Sequence, residues 1–346
     1  MEEFLMDGAV QQVTVMLILW YILPYPSRMD PSLVLLVLYW SVVASLKVCS
    51  FNVRSFGGSK MCKPQVLDVL VKCIERCDIM LIMEIKDAKG QALPQLVSHL
   101  NSKFGKKNEF EFIASERLGR KWYKEQYAFV YRQSLVSVKA VYQYPDLQTG
   151  DEDVFAREPF VVWFSSPKTA IKEFVIIPIH TSPEMVVREI NELYDVYQDI
   201  RERWTSENFI LMGDFNAACS YLPKKQWKKI HLRSNSSFVW LIDDRTDTTV
   251  KDSTSCAYDR VVLHGKDMIN AVDSSTVEVF DFRMAYRLTE EEALAHPGEA
   301  RGSKDANWAA RDFGVDCPDG GRRATLSFRE QQQQPRLLTA PLQIPA

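Results

Sequence analysis

The most constraining feature of this chain is an almost unbroken apolar run from Asp78 to Ile85. A strand with one wet face alternates apolar and polar residues. This run does not, so it reads as a strand buried on both faces, which only a layered fold can cover on both sides. The neighbouring segments fit that demand. Leu46–Val53 predicts a strand leading into a turn with Gly57, Gly58 and Ser59, and Val66–Cys77 and Ala92–Leu100 predict helices. Strand-like runs follow at Phe110–Ala114, Gln126–Tyr131, Val136–Tyr144, Phe160–Phe164 and Phe174–His180. Val186, Ile190, Leu193, Val196, Ile200 and Trp204 then recur at helical steps, with Thr181 and Glu184 as a capping box and Pro183 just inside the start. Asn208–Gly213, Phe238–Ile242 and Arg260–Leu263 predict further short strands. The mixture is that of a layered α/β domain.

With 46% apolar and 25% charged residues, the chain is not a disordered, collagenous or coiled-coil protein. Its net charge of −3 excludes a bulk polycation, so any nucleic-acid binding must use a local patch and metal ions. Two apolar runs, Val13–Leu23 and Leu33–Ala44, open the chain. Each is shorter than the roughly 20 residues a bilayer demands. The second follows Met29 and ends in Val43-Ala44-Ser45, the pattern of a signal peptide cleaved before Leu46. Residues 1–45 therefore read as an extension plus signal peptide, against a competing reading as a membrane anchor. The expected destinations are the secretory pathway, the endoplasmic reticulum and the extracellular space. The seven cysteines (49, 62, 73, 77, 219, 256 and 317) suit an oxidising compartment, and Cys73 and Cys77, four apart on a helix, read as free core thiols. Residues 296–346, with Gly, Pro and Arg clusters and a Gln331–Gln334 run, read as a disordered tail. Lys224, Lys225, Lys228 and Lys229 surround Trp227, a cluster that reads equally as a solvated face or a DNA-backbone contact; His99, His231 and His264 read as surface residues.

Polar residues gather where the strands end. Asn52, Glu84, His180, Asp214 with Asn216, and Asp259 each lie at such a boundary. Singly, each is an ordinary cap or turn former. Together they form a set of hard oxygen donors for Mg²⁺ or Ca²⁺ with an imidazole for proton transfer, suited to metal-assisted hydrolysis of a phosphate ester.

The stretches Phe51-Asn52-Val53-Arg54-Ser55-Phe56-Gly57, Met83-Glu84-Ile85-Lys86-Asp87, Tyr123-Lys124-Glu125-Gln126-Tyr127, Arg157-Glu158-Pro159-Phe160, Met212-Gly213-Asp214-Phe215-Asn216 and Cys256-Ala257-Tyr258-Asp259-Arg260, with His180, resemble the deoxyribonuclease I family and within it the gamma type. The likeness covers residues 46–295. It implies the endonuclease/exonuclease/phosphatase fold, a two-sheet sandwich flanked by helices, and a secreted endodeoxyribonuclease with little sequence preference. DNA would be its substrate, Mg²⁺ and Ca²⁺ its cofactors with Mn²⁺ as a further candidate, and the enzyme would be a monomer without a protein partner. The nucleus is a further location implied by this resemblance. Residue by residue, it makes Glu84 the main metal ligand, with Asp214 beside it and Asn52 near the scissile phosphate. His180 becomes the catalytic histidine, held by Glu125, and Asp259 the carboxylate that orients a second histidine. Asn216 would orient the phosphate, while Arg54, Tyr123 and Arg157 would touch DNA. Lys86 stands where some members carry a groove-entering arginine. Cys219 and Cys256 match the shared disulfide. Asp247, Thr248 and Thr249 resemble a loop holding structural Ca²⁺.

One departure stands out. The family continues after Glu291-Glu292-Ala293-Leu294-Ala295 with Ser-Asp-His-(Tyr or Phe)-Pro and a closing strand, whereas this chain reads His296-Pro297-Gly298-Glu299. The resemblance makes the missing Asp a metal ligand and the missing His the second catalytic imidazole. The alternative expectation is thus a catalytically impaired isoform that lacks its last strand. The basic tail of the gamma type is also replaced by one in which acids nearly match bases.

Overall fold

The computed structural model describes residues 45–104, 109–147, 150, 152–294 and 338–339. All but Ser45 of the extension and signal peptide expected in residues 1–45, His296 and nearly all of the expected tail lie outside the described residues. Among those described, no helix is long and apolar enough to cross a membrane.

Among the described residues eleven strands form two sheets. The first joins β1 (Val48–Phe56), β2 (Ile79–Ile85), β4 (Gln126–Arg132) and β3 (Phe110–Ala114) in that order, with β1 parallel to β2. The second runs β5 (Ser137–Gln143), β6 (Phe160–Ser165), β7 (Glu173–His180), β8 (Phe209–Asp214), β10 (Asp259–His264) and β9 (Phe238–Trp240), with β7 parallel to β8.

The period of two along each strand divides the core into layers. Val48, Ile79, Leu81 and Phe129 point toward the second sheet and meet Phe164, Ile176, Ile210 and Val261. Their neighbours Cys49, Phe51, Met80 and Ile82 face the other way, under α2 (Pro64–Ile74) and α3 (Ala92–Phe104), which follow the one-turn α1 (Gly58–Met61). On the second sheet Phe209, Leu211 and Ile177 face outward beneath α4 (Val186–Trp204) through Ile190, Leu193, Val196 and Ile200. The Asp78–Ile85 run is apolar on both faces because sheet covers one and helices the other.

Several local expectations differ from the structure. Helix α4 starts at Val186 with Met185 as its N-cap, and the Thr181 hydroxyl donates to the Phe215 carbonyl instead of capping it. Cys77 is not a free thiol. It bridges to Cys49 with Cα atoms 6.1 Å apart, because β1 and β2 lie side by side, and Cys73 stays free and buried. His264 is half-buried, with Nε2 2.9 Å from the Tyr197 hydroxyl. Within the stretch expected to be a disordered tail, a two-residue strand β11 (Leu338–Thr339) pairs antiparallel with Cys49 and Ser50 at the β1 edge. The Cys49–Cys77 bridge spans 28 residues, a loop for which chain entropy suggests about 3 kcal/mol. Cys77→Ala is therefore expected to lower the urea midpoint and, by letting the unfolded chain expand, to steepen the slope, and an unchanged midpoint would show that the bridge contributes nothing.

Candidate active site

Strand register brings the polar strand ends together. In the parallel β7–β8 pair His180 lies opposite Asp214, and in the antiparallel β8–β10 pair Asp214 lies opposite Asp259. Gly213 makes the close approach of β7 and β8 feasible. Its φ is +136°, and a Cβ there would overlap the Ile179 carbonyl oxygen. From the first sheet come Asn52 and Glu84. The β1–β2 register slips between Asn52 and Phe56, and the β2–β4 register between Ile82 and Ile85. Arg54, Ser55 and Glu84 lie in the left-handed region at φ 39°, 53° and 58°. Such backbone costs on the order of 1–3 kcal/mol per residue and re-aims side chains. Here it turns Glu84 toward Asn52.

The two sheets meet through Asn52, whose Nδ2 donates to Glu84 Oε1 at 3.0 Å and to Asp214 Oδ2 at 3.3 Å. Glu84 Oε2 accepts the Ser55 N–H at 3.1 Å and pairs with Lys86 at 3.0 Å. Buried Lys60 donates to the Val53 carbonyl at 2.9 Å, bracing the same turn from below. Burial opposes the charge on Glu84, but His180, Lys86 and Asn52 outweigh it and hold its carboxyl at about 2.

His180 Nδ1 lies 2.7 Å from Glu125 Oε1, and its Nε2 lies 3.9 Å from Asp214 Oδ2. Arg157 Nε donates to the His180 carbonyl at 2.8 Å and sits 3.2 Å from Glu125 Oε1. The Tyr127 hydroxyl accepts the His180 N–H at 2.9 Å. Burial and Arg157 both oppose a charge on His180, yet Glu125 and Asp214 prevail and its pKa is raised. Glu125 is lowered: burial works against its charge, and Arg157 and His180 sustain it. Asp214 is raised, mainly by burial, and its Oδ1 accepts the Asn216 N–H at 3.0 Å.

The other sequence-predicted residues fall as follows. Asn216 donates through Nδ2 to the Thr181 carbonyl at 2.9 Å, which leaves the second amide hydrogen for another acceptor. The Tyr123 ring lies under the Lys86 ammonium at 4.2 Å, beside the Arg54 turn. Arg157 is buried, and its protein bonds go to the histidine arm. Asp247 Oδ1 is engaged within its own loop by Thr249 N–H and Oγ1 at 2.9 and 2.7 Å, and Thr248 Oγ1 accepts from Asp259 N–H. Cys219 and Cys256 form a disulfide. Asp259 is fully buried; Thr248 and Arg260 stabilise its charge a little, but the Thr248 hydroxyl donates to the Cys256 carbonyl, and among the described residues neither carboxylate oxygen receives a well-formed hydrogen bond. Lys60 escaped the sequence reading, Ser55 and Tyr127 stood in the family-like stretches without a role, and Thr181 was read only as a helix cap, because a lysine after a glycine turn or a tyrosine inside a strand carries no signal until the chain folds.

Residues 49–309 match the profile of the Endonuclease/Exonuclease/phosphatase family. Deoxyribonuclease gamma of Rattus norvegicus is 57% identical over 263 residues, covering 76% of this chain and 85% of the relative. The Homo sapiens protein of the same name is 57% identical over 267 residues, covering 77% and 87%. Deoxyribonuclease-1 of Oryctolagus cuniculus is 44% identical over 270 residues, covering 78% and 95%. With its two sheets and helical cover, the chain belongs to the endonuclease/exonuclease/phosphatase family of phosphodiester hydrolases, in its deoxyribonuclease branch.

Proposed function

We propose that this chain is a monomeric, divalent-cation-dependent endodeoxyribonuclease with little sequence preference, that it enters the secretory pathway, and that its catalytic set is one imidazole short. The observation that carries the catalytic reading is the His180–Glu125 pair facing Asp214, with Asn52 tying Asp214 to Glu84.

Glu84, with Asp214 beside it, would hold Mg²⁺ or Ca²⁺. Both side chains are hard oxygen donors, and Mg²⁺ typically uses one or two carboxylates and keeps several waters. Bound there, the cation would supply positive charge to the phosphate and acidify a water. The chain's own residues do the rest. Glu125 fixes the tautomer of His180, leaving Nε2 on the Asp214 side to take or give a proton. Asn216 orients the phosphate with its remaining amide hydrogen. Contacts of this kind go to the DNA backbone and carry little sequence information.

The test is nicking of supercoiled plasmid across pH, with Mg²⁺ and Ca²⁺ or with EDTA. Slow nicking that EDTA abolishes is expected. Because Glu125 and Asp214 raise His180, a step that needs unprotonated Nε2 speeds up as pH climbs through a value above the ordinary 6.5. Glu125→Gln is expected to move that limb to lower pH and to cost roughly 10²–10⁴ in rate. Nicking that persists in EDTA, or a limb that stays in place in the variant, would overturn the reading.

Lys60 offers a check on the metal site through binding. Second-shell losses typically cost 10–100-fold in metal affinity, so Lys60→Met is expected to weaken Mn²⁺ binding about tenfold by releasing the Val53–Ser55 turn. Loss of a positive charge alone would tighten it. Calorimetry decides, and tighter binding would refute the bracing role.

A second reading has its own observation. Among the described residues the Asp259 carboxylate receives no hydrogen bond, and the resemblance assigns it a second histidine, which favours a product that binds DNA but hardly cuts it.

A further inference from the structure

A 3₁₀ turn, Lys224–Lys229, follows the Asn216 loop and carries four lysines in six residues. We propose that this turn is a second DNA-backbone site, a phosphate-binding platform that extends the cleft along the duplex. At three residues per turn, side chains three apart eclipse one another, which separates the faces of the turn. Lys224 shares its face with Trp227, the half-buried anchor. Lys225 and Lys228 form a second row, and Lys229 belongs to the third. All four lysines are exposed, and among the described residues none is ion-paired. The nearby acid Asp244 is already occupied, pairing with Arg233 at 3.0 Å and Arg260 at 2.9 Å.

The platform is fixed in place. Trp227 packs edge-on to Trp240 at 5.5 Å, with the Arg233 guanidinium 4.9 Å above its ring, and the Lys229 carbonyl accepts Asn191 Nδ2 at 2.9 Å. Its anchor also connects through the core to the loop that carries Asn216. Trp240 is the single ring between Trp227 and Phe215, which it meets at 5.8 Å, and Phe215 lies between Asp214 and Asn216. Buried Arg260 reinforces the link, donating to the Ala217 carbonyl at 2.9 Å. Four exposed ammonium groups, unpaired among the described residues, complement a polyanion rather than any acid of the protein. In a chain of net charge −3, such a concentration of positive charge is what duplex binding requires.

The inference rests on DNA being the substrate, and its test separates the two. Fluorescence anisotropy of the full chain on a labelled duplex of about 30 base pairs, in EDTA, gives affinity against salt with hydrolysis switched off. Each phosphate contact contributes about 0.9 to the log–log slope. Converting Lys224, Lys225, Lys228 and Lys229 to Gln is expected to flatten that slope by about 3. Between 50 and 200 mM salt the wild type would then lose roughly 60-fold more affinity than the variant. Arginine at the same four positions should keep the slope, and glutamine at exposed Lys168, Lys172 and Lys266 should leave it unchanged. Wild type that binds with a slope the platform variant shares overturns the platform alone. Wild type that does not bind at any salt overturns the platform and the DNA reading together. A control triple that flattens the slope equally overturns the platform in favour of diffuse charge.

Discussion

Replacing residues 296–346 with the Ser-Asp-His-Phe-Pro segment and closing strand of the family is expected to raise plasmid nicking by at least about 10³-fold, because catalytic groups that act as a unit are strongly non-additive. The receiving half of the site is in place. His180, Glu125, Asn52, Glu84, Asp214 and Asn216 form one connected network, and fully buried Asp259 lies opposite Asp214 with both carboxylate oxygens unpartnered among the described residues. The restored imidazole would donate to Asp259, and the restored strand would pair with the β1 edge where Leu338–Thr339 now makes two residue pairs. The measurement is the initial rate of supercoiled-form loss for the parent, the graft, and the graft with its new histidine changed to Ala. A folded graft no faster than the parent would mean that the His180 arm already supplies the full rate, and the missing-imidazole reading would fall.

Much of this was legible in the sequence, for identifiable reasons. The Asp78–Ile85 run announced a doubly covered strand because a two-sided core leaves no polar position except at the strand end, where Glu84 stands. Asp214 and His180 were legible for the same reason, as polar residues that close apolar runs. Other features depended on contacts distant in sequence. The Cys49–Cys77 bridge follows from β1 and β2 lying parallel, and i,i+4 spacing on a helix pointed elsewhere. The Thr181–Glu184 capping box gave way because the Thr181 hydroxyl serves Phe215 in the β8 loop. The left-handed turn at Arg54, Ser55 and Glu84 is held by Lys60 and Lys86 from two other segments, so no local motif encodes it. Arg157 shows the same limit: its sequence context resembles a DNA contact, while its buried guanidinium is bonded to the His180 backbone and faces Glu125.

Asp259→Asn is expected to stabilise this chain at pH 8 by about 1–3 kcal/mol, because the amide stays neutral where burial penalises the carboxylate, at roughly 1.4 kcal/mol for each unit by which folding raises its pKa. Burial first, and Asp214 second, push the Asp259 carboxyl well above its ordinary value. An acid whose folded pKa is raised binds its proton more tightly folded than unfolded. The native state therefore loses ground as pH climbs from the unfolded value, about 4, through the folded one, and stays penalised above it. The amide carries no such penalty, so the gain from Asp259→Asn should grow from near zero at pH 4 to its full size at pH 8. A domain of this size gains about 2–4 °C in Tm per kcal/mol, within reach of a thermal melt. In the graft the sign should reverse. There the carboxylate has an imidazole to hold, and Asn would break a buried charge-assisted pair, lowering both Tm and nicking rate. Opposite signs in the two backgrounds tie Asp259 to the absent histidine, because a residue that merely fills space would respond alike in both. Equal destabilisation in parent and graft would show that Asp259 already has a partner in this chain, and with it the claim of an orphaned carboxylate would fail.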